Sequence, residues 1–284
     1  MTDRRAPVIV GAGPAGVRAA QTLVAHGLRP VLVDEAPRAG GQIYRQPPPG
    51  FTRSKRALYG TEAGRADAIH RTMAALQAQV DHRPETLVWS AEGRTLHLLR
   101  GERASQLQHD GLIVATGATD RVLPFPGWTL PGVYTLGAAQ VALKYQGCAI
   151  GARVVLAGTG PLLYLVAWQY AHAGADVAAV LDSATLGDQV AALPGLLRDP
   201  VTLAKGLRLR AGLLRRGVPV HQGVRVLQAS GALDAPARGL SQAPQGAGQR
   251  VAAITWHDGQ REHQLACDAI CFGHTLRSET QLAD

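Results

Sequence analysis

The stretch VIVGAGPAGVRAA, Val8–Ala20, decides the fold. A short apolar run leads into three glycines spaced G-x-G-x-x-G, and a segment with apolar residues at helical spacing follows them. In dinucleotide-binding folds the first glycine allows the tight turn, the second lets backbone approach a pyrophosphate, and the third lets the helix pack on the strand. A pyrophosphate is therefore expected at the helix N-terminus, among free N–H groups. The predicted contacts are the residues of this turn, Gly11, Gly13, Pro14, Ala15 and Gly16.

The residues after the glycines complete a β–α–β unit. The spacing predicts a helix over Ala15–His26 and a buried strand over Pro30–Glu35. Parallel strands joined by a crossover helix indicate an α/β fold. Glu35 follows Gly11 by 24 residues, where a carboxylate can accept hydrogen bonds from ribose hydroxyls, and Asp34 is the neighbouring alternative.

A second copy of the pattern occupies Ala152–Ala184, with a strand, a glycine turn, a helix and another strand. Gly158 and Gly160 keep the first two glycines, which are predicted to contact a nucleotide. Leu163 stands in place of the third. A leucine there is expected to push the helix away from its strand and to reshape the pyrophosphate cradle.

The second copy also carries an acid at the end of its second strand. Asp182 follows Gly158 by 24 residues and is the predicted ribose-binding carboxylate. A carboxylate at this position disfavours the 2′-phosphate of NADP. Three states of the second site stay open on the sequence alone: NAD, another adenine nucleotide such as ATP, or a structural relic without a ligand.

Two further segments carry predicted cofactor contacts. In APRAGGQIYRQPP, Ala36–Pro48, paired glycines let backbone lie against a flat ring or a diphosphate, and a glutamine follows them. In GLIVATGATDRVLPFPG, Gly111–Gly127, an apolar strand runs into an Ala-Thr-Gly stretch and a proline-rich turn. The residues predicted to line the pocket from these segments are Gly41, Gln42, Thr116 and Gly117.

Composition and charge exclude several classes of protein. Of the 284 residues, 46% are hydrophobic and 18% charged, which is typical of a globular protein rather than a disordered one. No apolar run approaches the roughly 18–20 residues of a membrane span, and no signal peptide is expected from the N-terminal residues. The formal net charge is +8, but its densest cluster, Lys205–Arg216, is typical of an amphipathic surface helix and carries no nucleic-acid motif. The expected location is the cytoplasm.

The remaining titratable residues suggest no metal or dithiol. Cys267 and Cys271 lie four apart in an apolar stretch, which predicts one strand with both thiols on the same face. No CxxC pair occurs, so disulfide reductase chemistry is not expected. Lys144 and Tyr145 follow a predicted helix and are expected at the surface. The composition of Gly231–Arg250 predicts a loop or flexible hairpin.

These motifs together resemble a known family. The segments GAGPAGVRAA, DEAPRAGGQIYRQPP, ATGATDRVLPFPGWTLPGVYTLGAAQ and GTGPLL occur in this order. They resemble the FAD-containing alpha-type subunit of heteromeric amino-acid and amine dehydrogenases. That group includes opine oxidase A-type, hydrogen cyanide synthase B-type and proline or hydroxyproline dehydrogenase alpha-type subunits, within the two-dinucleotide-domain flavoproteins of the pyridine nucleotide-disulfide oxidoreductase type.

The resemblance implies a fold and a division of labour. The fold would be two Rossmann-like domains, the second inserted in the first, with boundaries at 1–148, 149–262 and 263–284. FAD would bind the first domain and NAD or another adenine nucleotide the second. A separate flavin-dependent dehydrogenase subunit would oxidise the substrate, and this chain would carry the electrons onward. The family's chains typically continue to a Gly-Asp segment and often an iron–sulfur region, so the chain is expected to be truncated at its C-terminus.

Two other functions stay open beside an electron-transferring subunit. One is a self-contained NAD(P)H-dependent flavin reductase, and the other is a non-catalytic truncated fragment. No side chain is a clear acid or base in the sequence, so no catalytic residue is predicted.

Overall fold

The computed structural model describes residues 6–51, 53–233 and 249–283 and divides the chain into two compact units. The first unit takes 1–119 and 277–284, and the second takes 120–276. The second unit is thus inserted in the first, which confirms the predicted α/β fold class with two nested units. The sequence places the domain boundaries after 148 and 262, and those remain predictions.

The secondary structure comprises strands, α-helices and two short helices of other types. The strands are β1 (Val8–Val10), β2 (Val31–Val33), β3 (Asp81–Arg83), β4 (Leu87–Glu92), β5 (Thr95–Arg100), β6 (Arg103–Gln108), β7 (Leu112–Val114), β8 (Ala118–Asp120), β9 (Val133–Thr135), β10 (Arg153–Thr159), β11 (Asp176–Asp182), β12 (Val220–Gln222), β13 (Arg225–Leu233), β14 (Gln249–His257), β15 (Glu262–Ala266), β16 (Ala269–His274) and β17 (Leu276–Ser278). The α-helices are α1 (Pro14–Ala25), α2 (Lys55–Tyr59), α3 (Ala63–Leu76), α4 (Leu136–Val141), α5 (Pro161–His172), α6 (Leu186–Leu196) and α7 (Pro200–Leu214). A 3₁₀-helix spans Gly60–Glu62 and a π-helix spans Ala142–Gln146.

A four-stranded parallel sheet in the order β3-β2-β1-β7 forms the centre of the first unit. Alternate residues of β1 point to opposite faces, so each face has its own core. Ile9 packs with the buried side of α1 and α3. Val8 and Val10 pack with Leu96 and Leu98 of the antiparallel sheet β4-β5-β6 on the other face.

The end of the chain completes the first unit. The Thr116 hydroxyl donates a hydrogen bond to the Glu279 carbonyl oxygen at 2.9 Å, and the Glu279 N–H donates to the Gly117 carbonyl oxygen at 3.0 Å. Leu282 packs against the core that contains Val8 and Val10. The first unit is therefore built from two segments of chain that are far apart in the sequence.

A five-stranded parallel sheet in the order β12-β11-β10-β16-β9 forms the centre of the second unit. Helices α4 and α5 bury their apolar side chains on one face of this sheet. The antiparallel sheet β13-β14-β15 covers the other face. The predicted loop or hairpin at Gly231–Arg250 belongs to the β13–β14 pair at both of its ends, and residues 234–248 lie outside the described residues.

The cysteine prediction was right about burial and wrong about geometry. Cys267 lies between β15 and β16, and its thiol packs with Trp256 on the face covered by the antiparallel sheet. Cys271 lies within β16 and packs with the helices on the opposite face. The predicted single strand fails because the chain has not yet entered β16 at Cys267. Burial raises the pKa of the Cys267 thiol to about 11.

The predicted surface position of Lys144 was also wrong. The π-helix Ala142–Gln146 continues α4, and Lys144 is only 4% exposed within it. A π-helical turn holds more residues than an α-helical turn, so it rotates the following side chains onto a different face. Burial lowers the pKa of Lys144 to about 8. Tyr145, the next residue, is half-buried.

Helix α6 buries no side chain in the core, whereas α7 packs against α5. No residue of α6 is buried, and Leu186, Val190 and Leu193 form an exposed apolar stripe along it. The predicted basic surface helix at Lys205–Arg216 is α7 and the turn after it, and Leu213 is the one fully buried side chain of α7. In the described part of the chain, no helix is long and apolar enough to cross a bilayer.

Candidate functional site

The first glycine turn lies at the carboxyl edge of the parallel sheet, between β1 and α1. A Cβ on Gly11 would lie 2.3 Å from the Ala115 carbonyl oxygen, and a Cβ on Gly16 would lie 1.8 Å from the Gly11 carbonyl oxygen. Backbone therefore excludes side chains at the first and third glycines. At Gly13 a Cβ would meet only the Gly41 Cα, at 3.7 Å. The second glycine thus borders open space at the helix start.

Helix α1 begins at this open space without a side-chain cap. Gly13 is its N-cap residue, with φ −69° and ψ −178°, and Pro14 supplies a fixed φ in the first turn. The first N–H groups of a helix have no partner within the helix and carry the positive end of its dipole. The turn and the start of α1 therefore form a surface that suits an anion such as a pyrophosphate.

The two predicted ribose-binding acids have different surroundings. The Asp34 carboxylate accepts hydrogen bonds from the N–H of Ala12 and, at 2.7 Å, from the N–H of Ala36. It therefore ties the end of β2 to the glycine turn. Glu35 is exposed at the same edge of the sheet.

The loop that contains Gly41 lies directly against the glycine turn. The Gly40 N–H donates to the Ala12 carbonyl oxygen at 2.8 Å, and a Cβ on Gly41 would lie 2.9 Å from the Gly13 Cα. The backbone of the Gly40–Gly41 loop therefore lies in contact with the backbone of the glycine turn. Gln42 is exposed, and its side-chain oxygen accepts a hydrogen bond from Arg45.

Residues that no sequence motif marks hold this loop in place. Tyr44 is buried, and its carbonyl oxygen contacts the His70 Nε2 atom at 2.9 Å. The buried Tyr59 donates its hydroxyl to the Arg45 carbonyl oxygen at 2.8 Å. Burial is the largest cause of the lowered pKa of His70. These contacts link positions far apart in the sequence, so no local pattern could have revealed them.

Thr116 and Gly117 complete the edge at the end of β7. The neighbouring Ala115 N–H donates to the Val10 carbonyl oxygen at 2.8 Å, which places the stretch beside β1. Gly117 has a φ of +84°, a conformation that favours glycine. Apart from the Gln42 side chain, the predicted contacts of the first unit therefore lie at one edge of its sheet, and the arrangement fits a dinucleotide.

The second glycine turn follows a different backbone path. Gly158 needs to be glycine, because a Cβ there would lie 1.9 Å from the Gly273 carbonyl oxygen. Gly160 is the N-cap of α5 with a φ of +88°, whereas Gly13 has −69°. Leu163 is fully buried in the core under α5. A side chain at the third position would clash in the first turn, so the second turn takes another conformation to place its leucine.

The equal 24-residue intervals do not mark equivalent acids. In β10 and β11, Gly158 pairs with Asp182, whereas the first unit pairs Val10 with Val33, which makes Asp34 the counterpart of Asp182. The β10–β11 register shifts between Val154 and Val155, which adds one residue to the second interval. The structural counterpart of Glu35 is therefore Ser183.

Asp182 is sealed inside the second unit. It is 2% exposed, and its two carboxylate oxygens accept hydrogen bonds from the Ala184 N–H at 3.0 Å and the Tyr164 hydroxyl at 2.7 Å. Burial, followed by the hydrogen bond to Asp182, raises the pKa of Tyr164 to about 12. The Tyr164 hydroxyl is therefore a donor at every physiological pH. The glycine-to-acid spacing marks Asp182 in the sequence, but no motif marks Tyr164.

Comparisons with known proteins agree with this architecture. Residues 6–272 match the family described as pyridine nucleotide-disulphide oxidoreductase. The chain is 39% identical over 227 residues to hydrogen cyanide synthase subunit HcnB of Pseudomonas protegens, covering 79% of this chain and 48% of that protein. It is 37% identical over 292 residues to the A-type opine oxidase subunit of Agrobacterium tumefaciens, covering 98% of this chain and 53% of that protein.

A solved structure shows the same fold at low sequence identity. The L-proline dehydrogenase of P. horikoshii superposes with a TM-score of 0.59 and 17% identity, over 96% of this chain and 42% of that one. The chain spans about half the length of the curated relatives it matches.

The comparisons decide several predictions made from the sequence. The resemblance to subunits of opine oxidase and hydrogen cyanide synthase is confirmed. The oxidoreductase class and its cofactors, FAD with NAD(P) in related members, are confirmed at the level of the family. The chain belongs to the pyridine nucleotide-disulphide oxidoreductase family.

Proposed function

We propose that the first unit binds FAD at the carboxyl edge of its parallel sheet. The observation that carries the proposal is the open space beside Gly13, bordered by the uncapped start of α1 and by the Gly41 backbone. The pyrophosphate would lie on this turn, and the exposed Glu35 would accept hydrogen bonds from the adenosine ribose. Thr116 and Gly117 would close the pocket beside β7.

The chain's own residues would bind and orient the flavin, which itself supplies the redox chemistry when bound. Gly11 and Gly16 would keep the turn tight, and the Asp34 bonds to the N–H groups of Ala12 and Ala36 would fix its position against β2. The Gly40–Gly41 backbone would exclude water from one side of the pyrophosphate. No residue of the chain is assigned a proton transfer.

We infer that the chain acts as the electron-transferring subunit of an amino-acid, opine or amine dehydrogenase complex. Two relatives are named as subunits of opine oxidase and hydrogen cyanide synthase, which supports a heteromeric assembly. The proposed partner is a second flavin-dependent dehydrogenase subunit that removes hydrogen from a carbon–nitrogen bond. A self-contained NAD(P)H-dependent flavin reductase is the alternative, favoured by the second glycine turn at Gly158–Gly160.

A flavin reconstitution experiment tests these functions together. The purified chain is mixed with FAD, freed of unbound flavin by gel filtration, and examined for visible flavin absorption. We expect bound flavin that NADH and NADPH do not bleach in the absence of a partner. A colourless protein contradicts the proposed FAD site. Rapid bleaching by NADH alone favours the self-contained reductase.

A further inference from the structure

We propose that Tyr164 closes the ribose end of the second glycine turn, so that NADH binds this unit weakly while the tyrosine holds Asp182. The inference rests on the expectation, drawn from the sequence, that the second unit binds an adenine nucleotide, and it does not depend on FAD in the first. Under this proposal, the Tyr164 side chain determines whether the second unit binds NADH tightly.

The acid at the end of β11 already accepts two hydrogen bonds and is buried. Asp182 pairs with Gly158 across β10 and β11, at the sheet edge where ribose hydroxyls meet an acid in dinucleotide-binding folds. One of its oxygens is taken by the Ala184 N–H, and the other by Tyr164. With 2% of its surface exposed, Asp182 offers no oxygen to a ligand. An NAD ribose therefore does not fit at Asp182 in this structure.

The Tyr164 hydroxyl makes the contact that a ribose hydroxyl would make. It is an O–H donor placed 2.7 Å from a carboxylate oxygen. It belongs to the first turns of α5, directly after Leu163, whose burial in the core fixes the rotation of that helix. Its hydrogen bond to Asp182 and the buried Leu163 beside it therefore hold the tyrosine in place.

The first unit shows the same position without the tyrosine. Val17 stands where Tyr164 stands, because each residue follows the third position of its glycine motif. Valine cannot donate to an acid, and there the Asp34 carboxylate bonds to backbone N–H groups. The exposed Glu35 is then available for a ribose, whereas its counterpart in the second unit is Ser183. Of these two matched positions, Glu35 and Ser183, only the one in the first unit carries an accessible carboxylate.

The consequence is a nucleotide site that recognises phosphate but not ribose. The N-terminus of α5 has no side-chain cap and can still meet a phosphate group. Without a carboxylate for the ribose hydroxyls, the second unit would scarcely distinguish NADH from NADPH. Releasing Asp182 would supply a carboxylate one residue before Ser183 and so favour NADH, because an acid at this edge can accept from the 2′-hydroxyl and repels a 2′-phosphate.

Binding isotherms on the full chain test this directly. NADH and NADPH are titrated by calorimetry into the wild type, Tyr164→Val, which copies the first unit, and Tyr164→Phe, which removes only the hydroxyl. We expect at least tenfold tighter NADH binding for Tyr164→Val and a smaller gain for Tyr164→Phe, with NADPH nearly unchanged. Tyr134→Phe, at an exposed tyrosine of β9, should change neither isotherm.

Asp182→Asn completes a double-mutant cycle. It should leave NADH binding of the wild type unchanged and abolish the gain of Tyr164→Val. The proposal is overturned if the wild type and both Tyr164 variants bind NADH equally tightly, or if none of them binds it. It is also overturned if Asp182→Asn alone weakens NADH binding relative to the wild type. Flavin absorption is recorded separately, so the NADH affinities can be compared even if the first unit does not bind FAD.

Discussion

Gly13 and Gly16 lie three residues apart in one turn, yet a side chain has opposite consequences at these positions. A Cβ on Gly16 would lie 1.8 Å from the Gly11 carbonyl oxygen, so the fold itself forbids it. Gly13 has an ordinary negative φ and no close neighbour, so the folded chain tolerates a methyl group there. A bound ligand, rather than the fold, would be what a side chain at position 13 obstructs.

Gly13→Ala should separate binding from folding. We expect an unchanged or slightly raised melting temperature, because alanine fits the backbone at this position and restricts the unfolded chain. FAD affinity should fall at least tenfold, because the methyl group occupies the space of the pyrophosphate. Flavin absorption and thermal unfolding measure the two effects. Gly64→Ala, in open space on α3, is the matched control: it should leave FAD affinity unchanged and raise the melting temperature slightly, because alanine favours the helix more than glycine does. Wild-type flavin affinity in Gly13→Ala would place the pyrophosphate elsewhere.

Lys144 makes the stability of the second unit depend on pH. Its folded pKa of about 8 lies below the ordinary lysine value of 10.5, because burial disfavours the charged form. Between these two values the unfolded chain binds the proton and the folded chain does not. The contribution of Lys144 to the unfolding free energy therefore rises with pH across this window and is most unfavourable below about pH 8.

Lys144→Met should reveal this dependence by difference. As the pH rises from about 7 to 10.5, the unfolding free energy of the wild type should rise by about 3 kcal/mol relative to that of the variant. One pKa unit corresponds to about 1.4 kcal/mol. Urea unfolding at several pH values measures it, and subtraction removes the titration of other groups. Lys205→Met, at an exposed lysine of α7, should show no such trend. A difference that does not change with pH would contradict the lowered pKa.

Helices α5 and α6 show how differently two elements of one unit can be held. Helix α5 buries Leu163, Val166 and Tyr170 in the core of the second unit. Helix α6 buries no residue and depends on its own capping box, in which Thr185 and Asp188 exchange hydrogen bonds. Such a cap contributes about 1 kcal/mol, far less than the burial of several large side chains.

Amide hydrogen exchange should therefore rank these helices. We expect the amides of α6 to exchange at least tenfold faster than those of α5, because α6 can open without exposing a core. Mass spectrometry of proteolytic peptides resolves the two segments. Thr185→Ala should accelerate α6 further and leave α5 unchanged. Protection of α6 equal to that of α5 would mean that its exposed apolar stripe is covered in solution.

Elements with a strong local signal were predictable from the sequence, and contacts between elements were not. The predicted helix Ala15–His26 matches α1, because Pro14 and the apolar spacing fix its start and its buried face. Asp182 corresponds in structure to Asp34 rather than to Glu35 because of a bulge between β10 and β11. The residue spacing in the sequence does not show this bulge. Tyr164 escaped notice because its partner lies 18 positions away on another strand.

At the scale of the molecule, two units with separate cores share one chain. The first unit is closed by Leu282, which packs on the core that contains Val8 and Val10. The second unit contains its own sheet and both of its covering layers within 120–276. Changes in the C-terminal segment should therefore act on the first unit.

Leu282→Asp tests this assignment. The carboxylate would enter an apolar core, so we expect the first unit to lose about 1–3 kcal/mol of unfolding free energy while the second keeps its stability. Differential scanning calorimetry should resolve the two units as separate transitions, of which one moves. Gln281→Asp, at the exposed neighbouring residue, is the control and should move neither. A shift of both transitions together would show that the units unfold as one.

The pairing of Thr116 and Gly117 with Glu279 has a consequence for synthesis on the ribosome. Residues 6–119 emerge first, but their core receives Leu282 only after the entire second unit has been translated. At about 5–20 residues per second, the nascent first unit waits roughly 8–30 s with that core uncovered. The second unit, whose parts emerge consecutively, can fold during this interval. The first unit therefore begins to emerge before the second unit and is completed after it, and chaperone binding to the nascent chain should be strongest over its apolar strands.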